Sequence, residues 1–371
     1  MVQSSQCDTM SGIETRKLRH IRVSLEEDVE GDIGTGLQDV RLIHRALPEI
    51  DLSDVSTEAT LFGKRLSAPL IISAITGGTD EAKRINEVLA TVAEEKGIGM
   101  GVGSQRIALA QPETAHTFSV VREKAPTTFI MGNMGCPQLS LGWGVEEATQ
   151  SVDMVDADAL AIHMNPLQEA VQVGGDTNYR GILRKVEEIT SSLDVPVVMK
   201  ETGCGVSHGD AARMEAAGAR GLEVSGVGGT SWSAVEHHIA KEVGEKRQEY
   251  LGAALWNWGI PTAVSVVETS SGTSLKIIAS GGLRTGADVA KSIALGADAA
   301  GMAKPFLVKA VEGHEALSEH VDNLVQELRV VMFLVGAKDL GELRKVPVLI
   351  LGRTAEWLRL RGFSVEEYAR R

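Results

Sequence analysis

The run His163-Met164-Asn165-Pro166-Leu167-Gln168-Glu169 concentrates imidazole, amide and carboxylate side chains directly behind the apolar stretch Ala157–Ile162, which reads as a buried strand. An unpaired buried polar group costs about 1–3 kcal/mol, so these groups must face a ligand or one another. Pro166 disfavours helical geometry at Asn165 and pre-sets a turn. His163 and Asn165 then sit at the strand exit, with Gln168 and Glu169 on the loop beyond. A carboxylate such as Glu169 is a hard oxygen ligand for Mg²⁺, which takes one or two carboxylates together with phosphate oxygens and water. The Gln168 amide does not ionise near neutral pH and is suited to orienting a reactant rather than transferring a proton. Taken alone, the cluster equally reads as a His and an Asn that tie down a turn.

Other chemistry-bearing groups also follow apolar runs. Ser280-Gly281-Gly282-Leu283-Arg284 offers backbone N–H groups beside a guanidinium, and Ala303-Lys304 follows the last apolar run. Together they form an expected phosphate site, to which Gly228-Gly229-Thr230-Ser231 can add donors. Lys200 emerges from Val195–Met199 either as a structural ion-pair partner or as a cation facing an anionic ring locus of a cofactor. Arg16-Lys17-Leu18-Arg19-His20 is either a solvated basic run or an arm that clamps a phosphate or diphosphate. Glu236, four residues after Trp232, is either a solvated helix charge or a second proton donor or metal contact. Trp256 and Trp258 read as packing residues rather than stacking platforms.

The elements that must position these groups are legible as short apolar runs separated by helix-length segments. Runs at Pro69–Ile75, Gly97–Val102, Thr127–Met131, Ala157–Ile162, Val195–Met199, Arg220–Val224, Leu275–Ala279 and Asp298–Met302 each end in polar or glycine-rich sequence. Eight such units predict a (β/α)8 TIM barrel, whose chemistry lies at the C-terminal ends of its strands. A doubly wound sheet is disfavoured, because Thr76-Gly77-Gly78 lacks the G-x-G-x-x-G pattern. The expected division is an N-terminal arm and preamble over 1–66, a barrel over 67–310 and a C-terminal helical tail over 311–371 that packs on the barrel or on another subunit. Within the preamble a helix is expected over Val40–Leu47, ended by Pro48. The long connection Ser233–Gly259 is expected to be a lid.

The chain has 371 residues, 43% of them hydrophobic, and a formal net charge of −13. That charge argues against non-specific nucleic-acid or anionic-membrane partners and requires a local basic pocket for any anionic ligand. Cys7, Cys136 and Cys204 are too few and too scattered for a disulfide framework or a zinc site. With no signal-like segment or long apolar span, a soluble cytoplasmic location is expected.

Arg16-Lys17 with His20, Thr76-Gly77-Gly78, Gly103-Ser104-Gln105-Arg106, His163 to Glu169, Lys200-Glu201-Thr202-Gly203, Gly228 to Trp232 and Ser280 to Arg284 together resemble the type II isopentenyl-diphosphate isomerases of archaea. The glycine-rich end alone would be shared with other FMN barrels; the HxNxxQE stretch together with GSQR is specific. The resemblance implies an FMN-dependent barrel that interconverts isopentenyl and dimethylallyl diphosphate without net redox change, the reduced flavin serving as the acid–base. It also implies Mg²⁺, NADPH or another reductant, and a homo-oligomer, tetramer or octamer.

Carried over by position, Ala74, Ile75, Thr76, Ser104, Asn133, Lys200, Thr230, Gly281, Gly282, Arg284, Ala303 and Lys304 would hold FMN. Arg16, Lys17, His20, Ser104, Gln105 and Arg106 would hold the substrate diphosphate, together with His163 and Asn165. Those two join Gln168, placed against the allylic part of the substrate, and Glu236 as the catalytic set, while Glu169 would ligate the metal. Ile75 stands where Met is common and Glu223 where Asp is usual. Two other classes stay in view: an FMN oxidoreductase of the hydroxy-acid oxidase kind, which needs a His base and paired Arg residues, and a non-catalytic flavin-binding sensor.

Overall fold

Runs of small and β-branched residues form parallel strands β1 (Leu70–Ile72), β2 (Gly99–Gly101), β3 (Ile130–Gly135), β4 (Ala159–His163), β5 (Val197–Lys200), β6 (Gly221–Glu223), β7 (Lys276–Ala279) and β8 (Ala299–Met302). Each pairs with its successor, and β8 pairs with β1, closing an eight-stranded barrel in a computed structural model that describes residues 19–371. Arg16, Lys17, Cys7 and the polar arm around them lie outside the described residues. All eight expected strands form where the apolar runs predicted them. Their burial on both faces follows from the helices that cover the sheet.

Local signals set the helices. Asp80–Lys96 starts where the Thr79 hydroxyl accepts from the Ala82 N–H and stops where Gly97 adopts φ +62°, while Ile85, Leu89, Val92 and Ala93 are buried toward the barrel. The capping hydroxyl and the left-handed glycine supply the start and stop that helix termini favour.

The lower end of the barrel is plugged. Ala59–Leu61 and Lys64–Leu66 form an antiparallel hairpin that places Leu61 and Leu66 in one cluster with the inward-facing Ile71, Phe129, Met131, Ala161, Val198 and Ile278. Phe62, at the hairpin turn, stacks on Phe129 with ring centroids 6.0 Å apart and lies so close to Gly221 that a Cβ there would meet its ring at 2.5 Å. The barrel core is therefore completed by residues from outside it.

Val40–Leu42 is a strand, not the start of the expected helix. It pairs antiparallel with Val348–Ile350, and Val40 is buried while Arg41 faces solvent. The alternation has period two, and a partner from the far end of the chain makes extended backbone the better solution. The tail packs on the chain's own barrel: Glu268, on the helix Thr262–Ser270, takes Arg361 at 3.1 Å and the Trp357 indole at 3.3 Å, and Tyr368 donates to the Leu295 carbonyl at 3.2 Å. Arg361 and the His208 N–H hold the Glu268 carboxyl below its ordinary range, against the opposing effect of burial. Among the described residues no helix is long and apolar enough to cross a membrane.

The plug is testable. Leu66→Ala removes a side chain that is 0% exposed and should destabilise the fold by about 2–5 kcal/mol, read as a lower urea midpoint; an unchanged midpoint would mean that the hairpin is not part of the cooperative core.

Candidate active site

The parallel register sets the floor of the site. Gly135, His163, Lys200 and Glu223 are successive partners across β3, β4, β5 and β6, so one level of the barrel carries an imidazole, an ammonium and a carboxylate. Above it opens a cavity of about 300 Å³ at the C-terminal ends of the strands, where barrel enzymes carry their chemistry.

From β4, His163 Nδ1 donates a hydrogen bond to the Asn133 amide oxygen Oδ1 at 2.9 Å. The helix Pro166–Val171 begins at Pro166, a position where proline's missing N–H costs nothing. Asn165 donates from Nδ2 to Gln168 Oε1 at 3.1 Å and to Glu169 Oε1 at 3.0 Å. Glu169 Oε2 accepts from Gln172 Nε2 at 3.0 Å and from the Asp176 N–H at 2.7 Å. Gln168 Nε2 in turn donates to Glu236 Oε1 at 3.0 Å. Gln168 and Glu169 thus lie on a helix that Pro166 starts and not on the expected loop, while the polar groups converge on one mouth as expected.

Glu236 corrects the solvated reading of its helix. Its side chain is 2% exposed, and the same Oε1 also meets His20 Nε2 at 3.0 Å. Its helix Trp232–Val243 folds back against Lys246–Ala254, where Gly252 approaches so closely that a Cβ would lie 2.8 Å from the Ser233 carbonyl. The connection expected to be a lid is this helical hairpin. Residues 19–26 are helical and pack on it: Val23 and Val29 cluster with Ala234, Val235 and Ile239 beside Trp232 and Trp256, and Arg22 pairs with Glu242 at 2.6 Å. Trp256 is a packing residue as expected, whereas Trp258 is exposed.

The opposite end of the cavity is a cationic cradle. Gly281 and Gly282 have φ +98° and +80°; a Cβ at Gly281 would come 2.1 Å from the Gly226 carbonyl oxygen, and one at Gly229 would come 2.5 Å from the Gly282 nitrogen. Only glycine admits this backbone approach. Arg284, Ala303 and Lys304 line the cavity beside these glycines. Between cradle and Lys200 lies Glu223, 1% exposed, with Oε1 accepting from the Ser73 hydroxyl at 2.6 Å and Oε2 without a hydrogen-bond partner.

Of the residues expected from the sequence, the cavity brings together His20, Ala74, Ile75, Thr76, Ser104, Arg106, Asn133, His163, Asn165, Gln168, Glu169, Lys200, Thr230, Gly281, Gly282, Arg284, Ala303 and Lys304. Glu236 stands behind this wall and reaches it through Gln168 and His20. Gln105 is corrected: it is 0% exposed and outside the lining. Its amide donates to the Ser151 carbonyl at 2.8 Å and accepts from the Asn133 N–H at 2.7 Å, so it braces β3 instead of facing a ligand. Ser73, Gln172, Thr202 and Glu223 are lining residues that sequence reasoning gave no role. The signal for Glu223 was present as a carboxylate inside the apolar run Arg220–Val224.

The donors fit an FMN-like group: a glycine cradle with two cations for a phosphate, a buried unpartnered carboxylate oxygen for a hydroxyl or N–H, and Lys200 for an electron-rich ring edge. A divalent cation would find the lining carboxylate of Glu169, held in place by three N–H donors. No cluster of three or more metal-ligating side chains occurs among the described residues, so phosphate oxygens and water would complete such a site. Thiolate chemistry is disfavoured, because burial pushes Cys136 up to about 12 and raises Cys204 as well.

The chain is similar to several known proteins. A family model described as FMN-dependent dehydrogenase matches residues 147–348. Proteins named isopentenyl-diphosphate delta-isomerase are similar over nearly their whole length: that of Methanosarcina barkeri is 47% identical over 355 residues, covering 95% of this chain and 96% of that one. That of Archaeoglobus fulgidus is 47% identical over 347 residues, covering 94% and 99%. Among solved structures, a flavocytochrome b2 variant has a TM-score of 0.62 at 17% identity, covering 91% of this chain and 84% of that one. A mandelate oxidase variant with a C4a-OH-FMN adduct has a TM-score of 0.59 at 20% identity, covering 90% and 95%. These structural likenesses establish the barrel fold.

Glu201 supplies a pH signature next to Lys200. Its carboxyl is pushed up to about 7 by burial, against the N–H groups of Cys204, Gly203 and Thr202 and the Lys200 charge. Between its ordinary 4.5 and about 7 it is protonated in the fold and ionised in the unfolded chain. Its contribution to stability is therefore complete below the lower value and is lost as pH rises through the upper one. Glu201→Gln should flatten this dependence, so that wild type loses about 1 kcal/mol per pH unit relative to the variant across that window in urea unfolding; parallel pH profiles would contradict it.

Proposed function

This chain belongs to the isopentenyl-diphosphate delta-isomerase family in its FMN-dependent form, and on that premise we propose that it interconverts isopentenyl and dimethylallyl diphosphate with reduced FMN and Mg²⁺. The observation that carries this reading is one cavity with a cationic glycine cradle at one end and, at the other, Arg106, His20 and His163 beside the Asn165–Gln168–Glu169–Glu236 network. A cofactor phosphate and a substrate diphosphate need two separate cationic ends, which a protein of net charge −13 must build locally.

In this reading Gly281, Gly282, Arg284, Ala303, Lys304 and Thr230 take the cofactor phosphate. Ala74, Ile75, Thr76, Ser104 and Asn133 bound the ring, and Lys200 stabilises its anionic edge. Reduced FMN, when bound, supplies the proton donor and acceptor for the alkene. His20, Arg106, His163 and Asn165 hold the diphosphate, with Arg16 and Lys17 from the undescribed arm. Glu169 holds the metal against the diphosphate, with lone pairs left beyond its three N–H contacts.

Gln168 is fixed on both sides, its oxygen accepting from Asn165 and its nitrogen donating to Glu236. Its amide is therefore oriented before substrate arrives, and that preorganisation keeps the allylic carbons aligned. Glu236 orients both Gln168 and His20 from behind the wall of the cavity. The soluble cytoplasmic location expected from the sequence, and the NADPH or other reductant and the tetramer or octamer that the family resemblance implies, belong to the same reading.

Gln168→Ala should lower turnover of labelled isopentenyl diphosphate at least about a hundredfold while FMN remains bound; retained turnover would remove Gln168 from the reaction. Glu169→Gln should raise the Mg²⁺ concentration needed for half-maximal activity without altering flavin content. An unchanged Mg²⁺ requirement would move the metal elsewhere.

A further inference from the structure

The cationic cradle already holds a carboxylate. Arg284 Nη2 lies 2.7 Å and Lys304 Nζ 3.7 Å from the same oxygen, Oε1 of Glu30. Glu30 reaches them from a strap laid across the β6 loop. Ser231 N–H donates to the Val29 carbonyl at 2.7 Å, Gly31 N–H to the Gly229 carbonyl at 3.4 Å, and the Trp256 indole to the Glu30 carbonyl at 2.9 Å. Glu30 and Thr230 form an antiparallel bridge. These bonds are all made through the strap's main chain, so the Glu30 side chain can turn away without disturbing them.

We propose that Glu30 is a built-in counter-ion of the phosphate seat, which holds Arg284 and Lys304 until a phosphorylated flavin displaces it and thereby limits how strongly phosphorylated flavin is preferred over unphosphorylated flavin. The inference rests on the assignment of the cofactor phosphate to Arg284 and Lys304. Its physical basis is a competition between anions. The Glu30 side chain is 43% exposed, so its ion pairs are screened and weak. A phosphate offers a guanidinium two parallel charge-assisted bonds and carries more charge. Displacement therefore favours phosphate, but the carboxylate left beside a bound dianion, or the pairs broken to remove it, subtracts from the affinity. Riboflavin, which lacks the phosphate, has no reason to displace Glu30.

The test is flavin fluorescence quenching on protein freed of cofactor, titrated with FMN and with riboflavin for wild type, Glu30→Gln and Arg284→Ala. Glu30→Gln is expected to tighten FMN about fivefold to tenfold, a change of one charge near a phosphate, and to leave riboflavin within about twofold. Arg284→Ala is expected to weaken FMN about tenfold or more without matching loss of riboflavin. If Arg284→Ala lowers the FMN-to-riboflavin preference but Glu30→Gln does not raise it, the phosphate seat stands and the counter-ion role of Glu30 is overturned. Equal weakening of both flavins by Glu30→Gln would make Glu30 a structural clip for the strap and likewise overturn the proposal. If Arg284→Ala leaves the preference unchanged, the seat assignment itself fails and the inference falls with it.

Discussion

The carboxylate of Glu236 is the contact on which the catalytic end of the molecule depends. It is 2% exposed, and one of its oxygens receives both Gln168 and His20 at 3.0 Å. A buried carboxylate is tolerable only with such partners, since removing a partner leaves an uncompensated charge. The arrangement locks three separate parts of the chain together: the β4 loop through Gln168, the helical hairpin that carries Glu236, and the N-terminal helix through His20. Apolar packing of Val23 and Val29 on Ala234, Val235 and Ile239 holds two of these parts together, the N-terminal segment and the hairpin. Loss of these two hydrogen bonds would therefore loosen the roof of the cavity as well as the orientation of one amide.

At the other end the design principle is the opposite one. The cradle is built from backbone brought close by glycines and from two cations, with little side-chain bulk to fill it. The two cations sit close together in a protein whose overall charge is −13, so they form a local positive seat that an anion must balance. Glu30 is the group in contact with both cations. Barrel closure makes the two ends face each other, because strands β4 and β5 lie across from β7, β8 and β1 in the closed sheet.

The likeness to flavocytochrome b2 and mandelate oxidase variants extends to the barrel and stops there, at 17% and 20% identity. In this chain Gln168 and its Asn165, Glu169 and Glu236 partners form one network beyond the strand ends. One scaffold can host different chemistries because strand ends and loops vary while the packed barrel does not.

The barrel and most of its lining were determined by the sequence read locally. Apolar runs ending in polar residues recur eight times, and hydrophobic periodicity, prolines and glycines act over a few neighbours, so the strands, the turn at Pro166 and the glycine cradle could be recognised without tertiary contacts. The tertiary structure alone decided which polar side chains meet. Gln105 sits in a motif beside Ser104 and Arg106, yet it turns inward because Ser151 and Asn133 offer it partners there. Glu236 looked like a surface charge until His20, 216 positions away, was brought against it. Glu30 lay in an unremarked loop until barrel closure carried Arg284, 254 positions away, to its side chain. Val40–Leu42 became a strand because Val348–Ile350 arrived beside it. Secondary structure follows from short-range backbone preference, whereas the pairing of a buried charge depends on elements made neighbours by the closing of the whole sheet.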